Sequence, residues 1–318
     1  MTDRHIDLVF CCYPRTGAVA DFTEAARRIT AQDDGVSAHV VTTDFNLRGL
    51  AAPLRFAARP TVWVEFDWVK FFRPLRGKRL RQIRGQTKVD EMRRFEAAGL
   101  PVAKWAVVEP GTVFDPQEWG PYVVEKPIRG WRGASIAVRR TGRVRFIAPE
   151  DRPEDHLGRL AGMFVQKFVY TGRWPVSYRV LTYFGEPVAA TRFEAANDRP
   201  PLEGPTAFDK HGGISVVASA RGCSATMIDE PDILALARRV HSVYPETPVL
   251  GIDILREATS GALYISEANP AGKCWSLGDN ERSAAFRETL GLQNLRDQFG
   301  VVDILTRVSV DIARRYAA

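Results

Sequence analysis

Apolar and polar positions change period repeatedly along the chain, and each change marks an element. Residues 6–12 are almost continuously apolar (IDLVFCC), which reads as a buried strand. Helical spacing follows over residues 21–30. Residues 39–43 and 61–66 (TVWVEF) are rich in β-branched and aromatic side chains and read as further strands. Strands alternating with helical pattern predict a small parallel α/β unit over residues 1–85. No G-x-G-x-x-G follows the first strand, so a dinucleotide site there has no support.

From residue 87 to 98 the pattern is helical, with Val89, Met92 and Phe95 on one side. Gly99 and Pro101 supply the stop. Strand-like runs follow at 105–108, 122–125 and 135–139, with a glycine-punctuated turn at Gly130-Trp-Arg-Gly133. Residues 163–169 and 178–184 read as strands on either side of a turn containing Gly172 and Pro175. A hairpin through Gly185-Glu-Pro187 then leads into 188–193. Residues 197–213 are rich in Pro and Gly and predict a long loop. A helix over 232–244, two antiparallel strands over 250–256 and 262–267, and an amphipathic helix over 302–316 complete the pattern. The predicted class is mixed α/β (α+β): an α/β unit at 1–85, an α+β lobe at 86–165, and a larger lobe at 166–318.

Composition narrows the picture. The chain has 318 residues, more than one ordinary core accommodates, with 45% hydrophobic and 26% charged residues, as in a folded soluble protein. No run approaches the roughly 20 apolar residues needed to cross a bilayer. Asp3 and Asp7 are foreign to a signal-peptide n-region, so the cytoplasm is the expected location. Cys11, Cys12, Cys223 and Cys274 show no C-x-x-C spacing, which argues against a zinc site or a disulfide framework. The net charge is +6, with a basic run at Arg73, Arg76, Lys78, Arg79, Arg81 and Arg84. Such a run fits a solvated face, a nucleic-acid contact, or attraction of a polyanionic or acidic substrate.

Chemistry concentrates between Gly251 and Pro270. Side chains alternate along a strand, so Glu267 and Asn269 point the same way. Asp253, on the preceding strand, faces inward with them if the hairpin pairs. Apolar residues surround each acid, and a buried carboxylate needs a partner. Three hard oxygen donors suit Mg²⁺, which takes few protein ligands and completes its shell with water and phosphate. The plainer reading is two polar strand ends flanking a turn.

A G-x-D strand, a turn and then E-x-N-P at a strand end resembles the ATP-grasp superfamily, and further motifs fall in the same order over residues 86–290. The resemblance implies the ATP-grasp fold: a small N-terminal α/β domain followed by two lobes that clamp ATP. It assigns phosphate contacts to Lys88 and Lys126, and a flexible phosphate loop to Gly130, Gly133 and Ser135. It makes Gln166, Lys167 and Val169 an adenine-binding hinge, with Gln166 accepting from the adenine amino group. Asp253, Glu267 and Asn269 become ligands for two Mg²⁺ ions, with Mn²⁺ as a substitute. Arg179 and Arg192 would bind the donor carboxylate or the forming acyl phosphate. One departure stands out: Ser177 occupies the place where relatives carry an acidic ribose contact. Lys210, His211, Lys273 and Trp275 fall where an acceptor would bind, yet each is equally readable as loop or packing residue.

The branch resembled holds glutathione synthetases, D-alanine ligases and the ligase that adds glutamate to a ribosomal protein. It implies an ADP-forming carboxylate–amine ligase acting on small carboxylates and amines or on a peptide or protein. Two other classes stay open: a kinase on the same scaffold, and a non-catalytic ATP- or nucleic-acid-binding relative. A ligase requires no side-chain nucleophile, so the lack of a Ser-His-Asp or Cys-His pattern fits the first reading.

Overall fold

In the computed structural model, the strands segregate into three sheets. Residues 5–12, 18–42, 56, 59–66, 76–130, 133–195, 223–270, 275, 277, 284–285, 287–288, 291–292 and 295–317 are described. The first sheet comprises β1 (Ile6–Cys12), β2 (Val36–Thr42), β3 (Thr61–Glu65) and β4 (Lys78–Arg81), all parallel, in the order β2-β1-β3-β4. Helix α1 (Ala18–Gln32) lies between β1 and β2 in sequence and buries Phe22, Ala25 and Ile29. Strand β4 falls inside the basic run and was not anticipated, because only Leu80 of its four residues is buried. Two of its cations are engaged by acids: Lys78 pairs with Glu246, and Arg79 with the buried Glu65. Charged side chains on an edge strand also discourage edge-to-edge pairing.

Helix α2 (Lys88–Ala97) forms where its pattern predicts. The Thr87 hydroxyl accepts from the Asp90 N–H, and the Asp90 carboxylate accepts from the Thr87 N–H, a reciprocal cap. Gly99 leaves the helix at φ 63°. The second sheet is antiparallel: β5 (Trp105–Val107), β6 (Tyr122–Pro127), β7 (Ala137–Arg140) and β8 (Met163–Lys167), in the order β5-β8-β6-β7. A four-residue helix, α3 (Pro116–Trp119), precedes β6.

The third sheet is also antiparallel. It contains β9 (Val176–Tyr183), β10 (Glu186–Ala195), β11 (Cys223–Met227), β12 (Val249–Arg256) and β13 (Leu263–Asn269), in the order β11-β10-β9-β12-β13. β8 and β9 belong to different sheets, and residues 168–175 carry the chain between them. The proline- and glycine-rich stretch at 197–213 lies outside the described residues, as do Lys210, His211, Lys273 and Cys274.

Two large cores hold these layers together. One joins α1, the first sheet and helix α5 (Val301–Tyr316) to Leu181, Tyr183, Val188 and Val249 of the third sheet. Residues 1–85 therefore share a core with the third sheet through the C-terminal helix. The other core packs α2 and helix α4 (Pro231–Ser242) against Val180, Leu250, Ile252 and Ile254, with Phe164 contributed by the second sheet. No helix among the described residues is long and apolar enough to cross a membrane.

Candidate functional site

The face of the third sheet turned away from α4 carries a row of charges. Register sets Asp253 directly opposite Arg179 on β9 and opposite Glu267 on β13, while Gly251 faces Asn269. Residues directly opposite one another project to the same side, so Arg179, Asp253, Glu267 and Asn269 share one face. Arg179 grips Asp253 with two parallel bonds of 2.7 Å, from Nε to Oδ1 and from Nη2 to Oδ2. The Asn269 carboxamide lies 3.4 Å from Asp253 Oδ2.

Strand β13 carries a bulge that orients this row. Asp253 pairs with Glu267 and Ile254 with Ile265, leaving Ser266 as the extra residue. The Ser266 hydroxyl reaches to 3.5 Å from Lys126 Nζ. Lys126 comes from β6 of the second sheet and is buried, with its ammonium donating to Gln166 Oε1 at 2.7 Å. Helix α2 adds Lys88, whose ammonium pairs with the Glu267 carboxylate. It also adds Glu91, whose Oε1 accepts from the Ala268 N–H at 2.5 Å.

Charges so close together shift one another's proton affinities. Burial first, then the positive charge of Lys88, pull the Lys126 ammonium down to about 8. Burial and the negative charge of Glu267 push the Glu91 carboxyl up to about 8. Burial also penalises the charged form of Glu267. The charge and hydrogen bond of Lys88, with Lys126 and Arg179 behind it, outweigh that and hold the carboxyl below its ordinary value.

The other residues singled out by sequence fall as follows. Gly133 (φ 70°) and Ser135 (φ 58°) both adopt left-handed backbone at the end of the glycine-containing turn, and the Ser135 hydroxyl accepts from the Leu157 N–H at 3.0 Å. Gly130 packs against Pro127, so a Cβ there would sit 2.7 Å from the ring. Gln166 was expected to face a purine. Its carboxamide instead turns inward, with its oxygen on Lys126 and its nitrogen 3.5 Å from the Ala103 carbonyl. Lys167 is exposed and its N–H is bonded to the Lys104 carbonyl, while Val169 is half-buried. Arg192 is not brought to the row. It pairs opposite Tyr178, one place out of step with Arg179, so it projects from the other face, where it pairs with Glu194. Trp275 is buried against Phe22 and Phe66, and its indole N–H donates to Asp21; of its two readings, packing holds.

Sequence reasoning overlooked Glu91 and Ser266. A signal existed for Glu91: with Lys88, Met92 and Phe95 it completes an i, i+3, i+4, i+7 face, so an acid stands in a stripe destined for burial. The bulge at Ser266 leaves no comparable trace in a single sequence.

Asp253, Glu267 and Asn269 offer two carboxylates and a carboxamide, the hard oxygen set that Mg²⁺ prefers. Among the described residues, no three His, Cys, Asp or Glu side chains are grouped to hold a metal ion by themselves. A cation seated here would therefore take much of its shell from elsewhere, as Mg²⁺ does with phosphate and water.

No family model and no curated protein matches the chain by sequence. Solved structures do match by shape. D-cycloserine synthetase DcsG superposes with a TM-score of 0.50 at 15% identity, covering 89% of this chain and 98% of the other. The ATP-grasp ligase PsnB, complexed with precursor peptide PsnA2 and AMPPNP, also gives 0.50 at 15% identity, over 95% of this chain and 98% of the other. The likeness is one of fold: the chain adopts the ATP-grasp fold.

Proposed function

We propose that this protein is an ATP-dependent ligase that activates a carboxylate as an acyl phosphate and joins it to an amine, releasing ADP and phosphate. One observation carries the reading. Three cations and two carboxylates, drawn from α2, β6, β9, β12 and β13, converge on one face of the third sheet. The ATP-grasp fold supports it as a scaffold.

In this reading Lys88 and Lys126 orient the phosphates, while Asp253, Glu267 and Asn269 hold Mg²⁺. Mg²⁺, when bound, neutralises charge on the phosphoryl oxygens. Lys126 is presented by Gln166, which is therefore assigned to orienting the lysine rather than to reading adenine. The backbone around Lys167 and Val169, between the second and third sheets, is the place for the purine. Gly130, Gly133 and Ser135 border the phosphates, glycine allowing the backbone to approach closely.

Arg179 acts on the acyl group. Its guanidinium fork binds the donor carboxylate and, after phosphoryl transfer, the oxyanion formed as the amine attacks. Arg192 has no part in this, since it leaves the opposite face. Arg179 pairs with Asp253 and Lys88 with Glu267. With Mg–ATP bound, Lys88 would turn to phosphate, Asp253 and Glu267 would hold the metal, and Arg179 would face the substrate. The acceptor is an amino acid, peptide or protein amine.

The test is a screen of carboxylate and amine pairs with Mg–ATP, reading ADP and free phosphate together. A ligase releases phosphate only when both substrates are present. ADP formation with a carboxylate or alcohol alone, with no free phosphate, would assign a kinase instead. No turnover with any pair, and no thermal shift with ATP, would end the enzyme reading.

A further inference from the structure

Strand β13 is the outermost strand of its sheet, so one row of its backbone groups has no neighbouring strand to pair with. Two of its outward N–H groups are satisfied by the chain around α2. The Ile265 N–H donates to the Pro101 carbonyl at 2.8 Å, and the Ala268 N–H donates to Glu91 Oε1 at 2.5 Å. The spacing between them is three residues rather than two because Ser266 is the extra residue of the bulge. That offset turns Glu267 and Asn269 onto the charged face while the Ala268 N–H points outward.

Glu91 is well placed to hold this arrangement. It is 5% exposed, and it sits three residues after Lys88 on the same face of α2. One turn of helix therefore touches consecutive residues of β13, with Lys88 on the Glu267 carboxylate and Glu91 on the Ala268 N–H. Ala268 lies between the two proposed metal ligands of that strand. A shift of its backbone would displace both ligands together.

We infer that Glu91 is a positioning residue for the Mg–ATP site: it anchors the bulged end of β13 and so presents Glu267 and Asn269 to the metal without touching it. The inference rests on the proposed reading of that site.

The test measures binding of the non-hydrolysable analogue AMPPNP to the full chain by calorimetry, with Mg²⁺ and with chelator. The quantity of interest is the gain in affinity that Mg²⁺ confers. Residues that orient metal ligands from behind are worth about 10- to 100-fold in metal affinity. Glu91→Ala is expected to lose a factor of that size from the gain while keeping its affinity in chelator. Glu91→Gln retains a side-chain carbonyl oxygen for the Ala268 N–H and is expected to keep the wild-type gain. A Glu91→Ala protein with the full gain would overturn the inference, as would one whose affinities with and without Mg²⁺ fall by the same factor. Should Glu91→Ala not fold, Glu91→Met fills the volume without accepting the bond and is read by the same criterion. A wild-type chain that binds AMPPNP with no gain from Mg²⁺ would overturn the metal site itself, and with it this inference. A wild-type gain that survives in Glu91→Ala would overturn only the role of Glu91.

Discussion

Lys126 offers a quantitative test of the proposed nucleotide site, because burial pulls its proton affinity down to about 8. The lysine is buried, its ammonium donates to Gln166 at 2.7 Å, and the positive charge of Lys88 adds to the effect of burial. At pH 7 roughly nine-tenths of the side chain is charged, and at pH 9 roughly one-tenth, following the titration of a single group. A phosphate contact requires the ammonium, and an anion bound to it raises its proton affinity further. Affinity for ATP should thus be full below about pH 8 and decline as pH rises through it. The expected loss is about tenfold between pH 7 and pH 9, the ratio of the charged fractions. Replacing the lysine removes a hydrogen bond to a charged group, worth about 1.5–3 kcal/mol, which is about 10- to 100-fold in affinity. Lys126→Met should accordingly bind AMPPNP weakly at pH 7, with little further change up to pH 9. Calorimetry at pH 7, 8 and 9 in the presence of Mg²⁺ measures both effects. Equal affinity of wild type at pH 7 and pH 9 would refute the phosphate contact. A Lys126→Met variant with the wild-type slope would assign the pH dependence to another group.

Glu267→Gln should abolish turnover and leave the far-ultraviolet dichroism unchanged; activity within a few fold of wild type would remove Glu267 from the metal site. His241 tests stability. It is buried, with Nδ1 at 2.7 Å from the Thr182 hydroxyl and Nε2 at 2.8 Å from the Thr247 carbonyl, and burial pulls its proton affinity down to about 4. Because the unfolded chain takes up the proton first, near pH 6.5, this neutral histidine contributes stability above that pH that is lost progressively towards pH 4. The total is about 3 kcal/mol at about 1.4 kcal/mol per pH unit. Urea unfolding of wild type and His241→Gln between pH 7 and pH 4.5 should give curves of different slope, and parallel curves would show that His241 does not titrate as described. Phe22→Ala, at a fully buried ring 4.8 Å from Phe10 and 5.0 Å from Phe66, should destabilise the fold by about 3–5 kcal/mol; a loss under about 1 kcal/mol would mean the cavity collapses.

Elements with strong local pattern were legible in the sequence, and those defined by distant partners were not. The apolar run at β1, the capped helix α2 and the β12–β13 hairpin all stand where periodicity and turn chemistry place them. β4 was invisible, since a strand with one buried residue in four looks like any basic surface run. Residues 163–169 and 178–184 were both legible as strands, but their assignment to separate sheets depends on long-range pairing. Parity mattered most at the site. Arg179 and Arg192 occupy neighbouring strands, which is all that sequence can say. The register pairs Arg179 with Thr191, not Arg192, and that single step sends the two guanidiniums to opposite faces. Gln166 shows the same limit. Its strand was legible, but the lysine that captures its carboxamide comes from β6.

The charges of the site also help explain how the second and third sheets are joined around it. An isolated buried ion is costly, and each carboxylate of the row is met by a cation: Asp253 by Arg179 and Glu267 by Lys88. Lys88 and Glu91 connect α2 to β13, and Lys126 connects β6 to Ser266 of the same strand. These bonds cross between elements, whereas the Arg179–Asp253 pair lies within one sheet. In the proposed function, phosphate competes for Lys88 and the metal for Glu267 and Asp253, but neither competes for the bond between Glu91 and Ala268. Nucleotide binding would then loosen one tie between α2 and the third sheet while leaving the neighbouring one intact. Strand β13, which presents the metal ligands in that function, would stay anchored through Glu91 as Lys88 changed partner, so its geometry would not be rebuilt with each round of binding.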